Sequence, residues 1–105
     1  MNSVMDAVDL AVRKASMRDI HAVLRLINAY ASKGIMLPRT EFEMSENIRD
    51  FSVVYDGDHL VGCGALHFYT PTSAEVRSLA VEPESKTRGI GRLIVEALEL
   101  SLIHI

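Results

Sequence analysis

Residues 74–99, AEVRSLAVEPESKTRGIGRLIVEALE, set a strand-like run, a proline, a basic glycine turn and an amphipathic helix in immediate succession. Pro83 has no N–H to give a central strand, so the run before it must end there. Gly89 and Gly91 stand just ahead of Leu93, Ile94, Ala97 and Leu98, whose three-and-four spacing is that of a helix with one apolar stripe. A strand that turns directly into such a helix lays it back over a sheet, which predicts an α/β or α+β layer with a mixed sheet.

The upstream chain supplies the other parts. LAVRKAS at 10–16 alternates as a short strand. Ser16 and Asp19 have capping-box spacing, predicting a helix from Met17 whose buried stripe is Ile20, Val23, Leu24, Ile27, Tyr30 and Ala31. Gly34 is placed to close it in a left-handed turn. Thr40 and Glu43 repeat the capping pattern, and Phe42 with Ile48 would give a second, shorter helix its apolar face. FSVVY, the turn DGD, HLVGCGALHFY, the turn TPTS and AEVRSLAV then read as three strands in a meander. The expected order is strand, helix, helix, three strands, helix.

Composition narrows the classes of function. The chain has 105 residues, 49% hydrophobic and 24% charged, which suits one domain with a modest core. Formal net charge is −3, so no overall positive field draws it to nucleic acid or anionic lipid. No stretch reaches the roughly 18 apolar residues of a membrane span. Residues 1–8 read as a loose leader without a targeting signal, with Met5 as an alternative start. The single cysteine, Cys63, excludes an internal disulfide and a multi-cysteine zinc cage, and cytosol is the default compartment. The four histidines have no metal-ligand spacing, so no metal site is expected.

The glycine turn carries the chemistry. The first N–H groups of a helix lack intrahelical partners and lie at the positive end of its dipole, a ready anion site. Gly89 and Gly91 would let backbone approach the anion, with Lys86, Arg88 and Arg92 adding charge and Thr87 a hydroxyl. A lone G-x-G is as readily an ordinary helix start with surface cations. A P-loop is excluded because G-x-x-x-x-G-K-[ST] is missing, and a dinucleotide fingerprint because Ile94 stands where its third glycine belongs.

The whole segment resembles motif A of the GNAT acyltransferase superfamily, whose loop reads [QR]-x-x-G-x-[GA]. Lys86, Thr87, Arg88, Gly89, Ile90 and Gly91 fill that loop with lysine in the first place. The resemblance implies that loop N–H groups hold the pyrophosphate of acetyl-CoA, and that Leu79, Ala80 and Val81 pair by backbone with its pantetheine arm. GIMLPRT, VGCGAL and AEVRSLAV extend the likeness, over about residues 10–99, to amino-acid N-acetyltransferases of the N-acetylglutamate synthase kind and hence to arginine biosynthesis. On that likeness Leu37 and Arg39 contact an amino-acid acceptor, Ser78 lies beside it, and Glu75 is the general base, whose pKa would rise toward the working range if it is partly buried near the sheet. Read without the likeness, Arg39 is a solvated residue at a helix start and Glu75 a surface strand residue.

The likeness also implies that the family fold continues past this last helix with further strands and a helix, which carry the general acid. Residues 1–99 are therefore expected to be a partial GNAT domain. Residues 100–105, LSLIHI, match a translated sequencing-library adapter and are expected to be a non-native tail. Two functions follow: an amino-acid N-acetyltransferase using acetyl-CoA, open to homodimer formation, or a non-catalytic chain with at most partial CoA binding, either a truncated fragment or an interaction module that presents the edge of its last strand.

Overall fold

The computed structural model describes residues 10–34 and 39–103, apart from the side chains of residues 86, 87 and 101–103. Strand β1 (Leu10–Lys14) precedes helix α1 (Ile20–Ala31) and helix α2 (Glu41–Asn47). Strands β2 (Phe51–Asp56), β3 (His59–Thr70) and β4 (Ser73–Val81) follow, and helix α3 (Ile90–Ile103) comes last. This is the expected order. The sheet runs β1-β2-β3-β4, with every pairing antiparallel. Tight turns at 57–58 and 71–72 allow no other relation between neighbours. The mixed sheet expected from the sequence is therefore not seen among these four strands.

Strand alternation divides the apolar side chains between two faces. Phe51, Val53 and Cys63 pack with Val23, Ile27 and Met44 under α1 and α2. Val54, Val61 and Leu66 pack with Ile90, Ile94 and Leu98 under α3. The result is three layers, with the helix pair on one side of the sheet and α3 on the other. Helix α3 comes very close to β3. A Cβ on Gly62 would lie 2.6 Å from Ile90 Cγ2, and one on Gly64 would lie 2.7 Å from Ile94 Cγ2. The two glycines are thus a seat for the helix.

The helix starts differ from expectation in two ways. Met17–Asp19 is a 3-10 turn, and the α-helix begins at Ile20. Asp19 causes this by turning inward: its carboxylate accepts from the Ser16 amide at 2.8 Å and also from Arg13 and Tyr55. In α2 the Thr40–Glu43 box forms as predicted. However, Met44 and Ile48, four residues apart, form its buried face, and Phe42 is 71% exposed. Two residues from Met44, Phe42 points the opposite way. Gly34 has φ +74°, the left-handed end expected for α1.

Candidate functional site

The site residues gather where β4 breaks its own alternation. Cys63 pairs with Ala80 and Ala65 with Arg77, so two β4 residues, Ser78 and Leu79, stand opposite Gly64 alone. This is a β-bulge, and Ser78 takes φ +53° in it. A non-glycine residue held in the left-handed region is strained, and such strain collects at functional sites. The bulge puts Arg77 and Ser78 on the same face, toward α1 and α2, while Leu79 packs toward α3.

Arg39 meets Ser78 there. Its Nη2 donates to the Ser78 hydroxyl at 2.9 Å, and its guanidinium lies 5.8 Å from the centre of the Phe51 ring. Asn28 of α1 fixes the Arg39 backbone from both sides: its Nδ2 donates to Arg39 O at 3.2 Å, and its Oδ1 accepts from Arg39 N at 3.0 Å. Arg39 is therefore an anchored residue and not a solvated one. Leu37 lies outside the described residues.

Of the two settings open to Glu75, the structure shows the exposed one. The residue sits on the same face, its Oε1 accepting from the Tyr69 hydroxyl at 2.6 Å and from Arg77 Nε at 2.9 Å. Those bonds hold its carboxyl below the usual range, with Tyr69 the larger influence. The burial that would have raised its pKa is missing. Arg77 completes the triangle: it donates from Nη2 to Tyr69 O at 2.5 Å and lies 5.0 Å over the Tyr69 ring.

At the other end of β4 a 3-10 turn (Pro83–Arg88) leads to Gly89, which has φ +73°. Among the described residues, nothing lies within 4 Å of where a Gly89 Cβ would stand, and only Val81 Cγ2, at 3.8 Å, approaches that of Gly91. The head of α3 thus leaves room for an anion to approach its backbone. Ile90 is fully buried against β3, so only its N–H can serve. The side chains contribute less than the sequence suggests. Arg88 donates to Asp56 Oδ2 at 2.8 Å, and Arg92 pairs with Glu96 at 3.1 Å along the helix. The side chains of Lys86 and Thr87 lie outside the description.

Leu79, Ala80 and Val81 join these two ends. Glu82 N donates to Val61 O at 2.9 Å, so ladder alternation turns the polar groups of Val81 to the outer edge of β4. There the Tyr30 hydroxyl donates to the Val81 carbonyl. That carbonyl, expected to meet a pantetheine arm, already has a partner. Burial pushes the Cys63 thiol up to about 12, which makes it packing and not a nucleophile. A groove of about 270 Å³ between α1, Leu60 and Pro83 contains none of the expected site residues. Among the described residues, no group of three or more His, Cys, Asp or Glu could hold a metal ion, and no helix is long and apolar enough to cross a membrane.

Sequence reasoning missed Asn28, Phe51, Tyr69 and Arg77. In the sequence Phe51 and Tyr69 are strand residues, Arg77 lies inside AEVRSLAV without a distinguishing signal, and the one signal for Asn28 is a polar residue beside the buried stripe of α1.

Residues 47–104 match the family described as acetyltransferase (GNAT) domain. The chain is 46% identical over 98 residues to an uncharacterized N-acetyltransferase of Chlorobaculum tepidum, a match covering 93% of this chain and 63% of the relative. It is 37% identical over 90 residues to the amino-acid acetyltransferase of Mycobacterium tuberculosis, covering 83% and 51%. The solved N-acetylglutamate synthase of Neisseria gonorrhoeae, complexed with coenzyme A and N-acetyl-glutamate, is similar with a TM-score of 0.84 and 27% identity, over 90% of this chain and 23% of its own. The chain spans 63% and 51% of the lengths of those two relatives.

Proposed function

The chain belongs to the GNAT acetyltransferase family, and from that premise we propose that it serves the transfer of an acetyl group from acetyl-CoA to the amine of a single amino acid, glutamate foremost. The observation that carries this reading is Arg39, clamped by Asn28 and bonded to Ser78 at the bulge of the strand that leads into the glycine turn. A planar guanidinium in a fixed position suits a carboxylate, and the bulge sets it beside the strand along which the pantetheine arm would run. The relatives named for amino-acid acetylation, and the neighbour holding coenzyme A and N-acetyl-glutamate, support the same reading.

The bound thioester would supply the acetyl group. Backbone N–H groups from Gly89 to Arg92 would hold its pyrophosphate, and the outer edge of β4 at Leu79 and the Val81 N–H would align the arm, with Ala80, whose polar groups face β3, packed between them. Acetylation needs a neutral amine, and an amino acid's ammonium must lose its proton first. Glu75 is the proposed acceptor. Its hydrogen bonds keep it ionised at neutral pH, ready to accept a proton but weaker as a base than a buried carboxylate. Leu37 is proposed to line the acceptor site with Arg39, and Lys86, Thr87 and Arg88 to border the anion loop. A cytoplasmic setting and arginine biosynthesis go with this proposal.

Calorimetry with acetyl-CoA tests the cradle. Gly89→Val should weaken binding at least tenfold, because a branched residue resists φ +73°, while Arg92→Ala should change it less than threefold. Comparable losses in both variants would mean that side-chain charge holds the ligand. Turnover of glutamate by the chain supports transfer; binding without turnover by a folded chain supports the module reading instead.

A further inference from the structure

Arg77 belongs to no motif position so far given a role, yet it faces the same cavity as Arg39. That cavity, about 100 Å³, is lined by Arg39, Arg77, His67, Phe51, Asn47 and Asp50, among others. It lies well below the roughly 300–1,000 Å³ of sites for larger ligands, so it suits a small polar group. Two guanidiniums on one small cavity would repel unless an anion lay between them or other groups held them in place, and here both are held. Ser78 and the Phe51 ring position Arg39. Glu75 and Tyr69 position Arg77 through Nε and Nη2. Among the described residues, Nη1 of Arg77 and both Nε and Nη1 of Arg39 have no hydrogen-bond partner. Each fork thus keeps donors for a ligand.

We propose that Arg77 is a specificity-determining residue that takes the second carboxylate of a dicarboxylic amino acid whose other carboxylate sits on Arg39. The inference rests on the acceptor site proposed above. The bulge makes the pairing possible, because Ser78 in regular alternation would face α3 and Arg39 would lose its anchor beside Arg77. The charges match as well. A dicarboxylic amino acid brings two carboxylates and one ammonium, and the cavity offers two guanidiniums with Asp50 at its wall. A monocarboxylic acceptor such as glutamine would leave one guanidinium without its anion.

The test is titration of the full chain, loaded with coenzyme A, with glutamate and with glutamine. Wild type should bind glutamate at least tenfold tighter than glutamine. Arg77→Gln should bring the two within about twofold while leaving coenzyme A affinity unchanged, and Arg77→Lys should restore part of the preference. A merely structural role for Arg77 would weaken both ligands alike, and that result overturns the proposal. So does an Arg77→Gln variant that keeps its preference, or a wild type that shows none. In these cases amino-acid binding itself stands. If coenzyme A binds and neither amino acid does, the acceptor site and this inference fall together.

Discussion

At the scale of single residues, Asp19 shows how a local signal can conceal a larger role. The Ser16–Asp19 spacing announced a helix cap, and the Asp19 carboxylate does reach back to the Ser16 amide. The same carboxylate is 1% exposed and accepts both prongs of the Arg13 fork, at 2.8 and 2.9 Å, and the Tyr55 hydroxyl at 2.8 Å. The Arg13 guanidinium, ahead of all other influences, holds it well below the usual carboxylate range. Because the folded-state pKa is depressed, the stability it contributes is present above the unfolded value and lost as pH falls through the folded one. The unfolding free energy should therefore decline from roughly pH 5 to pH 2. Asp19→Asn should flatten that decline and cost about 1–3 kcal/mol at neutral pH, since it leaves Arg13 without its anion. Urea midpoints measured at several pH values would reveal both effects. An acid slope unchanged in the variant would place its origin in other carboxylates.

Elements were more legible than contacts. Each helix and strand followed from apolar periodicity, two capping boxes and the turns at Gly57 and Pro71, all of them local signals. What the sequence concealed depended on distance along the chain. Arg39 meets Ser78 across 39 positions, and nothing in AEVRSLAV reveals an extra residue opposite Gly64. Whether Glu75 is buried was equally illegible, since its setting depends on Tyr69 reaching it from the neighbouring strand. Gly62 and Gly64 lie within HLVGCGALHFY with no local signal for their role, and the structure shows why they are small: α3 rests on them. Gly62→Ala would set a methyl 2.6 Å from Ile90 Cγ2 and 2.9 Å from Ile94 Cδ1, both in a fully buried layer. Overpacking of this kind costs about 1–3 kcal/mol. Ile90→Ala alone should destabilise by leaving a cavity, but combined with Gly62→Ala it should cost less than the sum of the two, because the methyl enters the vacated space. Strict additivity in denaturant melts would show that α3 is not seated on that glycine.

Across the whole molecule, one antiparallel sheet separates two apolar layers, and β4 serves both the acceptor face and the cradle. Its bulge depends on the sheet holding register at Gly64, and that register depends on Phe51, Val53, Val54 and Val61 being gripped from both sides. The layers should therefore unfold together even though their side chains do not touch. Met44 in the helix-pair layer and Ile94 beneath α3 are both fully buried. Each change to alanine should cost about 2–5 kcal/mol. Separated by the sheet and sharing no cluster, the two losses should add to within about 0.5 kcal/mol. Against the 5–15 kcal/mol typical of a domain, roughly speaking, the double variant should lie at or past the edge of folding. Far-ultraviolet circular dichroism and cysteine accessibility, followed through the same urea titration, should give one transition for each single variant, with Cys63 becoming reactive as helix is lost. An early loss of helix with Cys63 still protected would mean that α3 can leave while the helix-pair layer survives, and that the cradle can melt without the acceptor face.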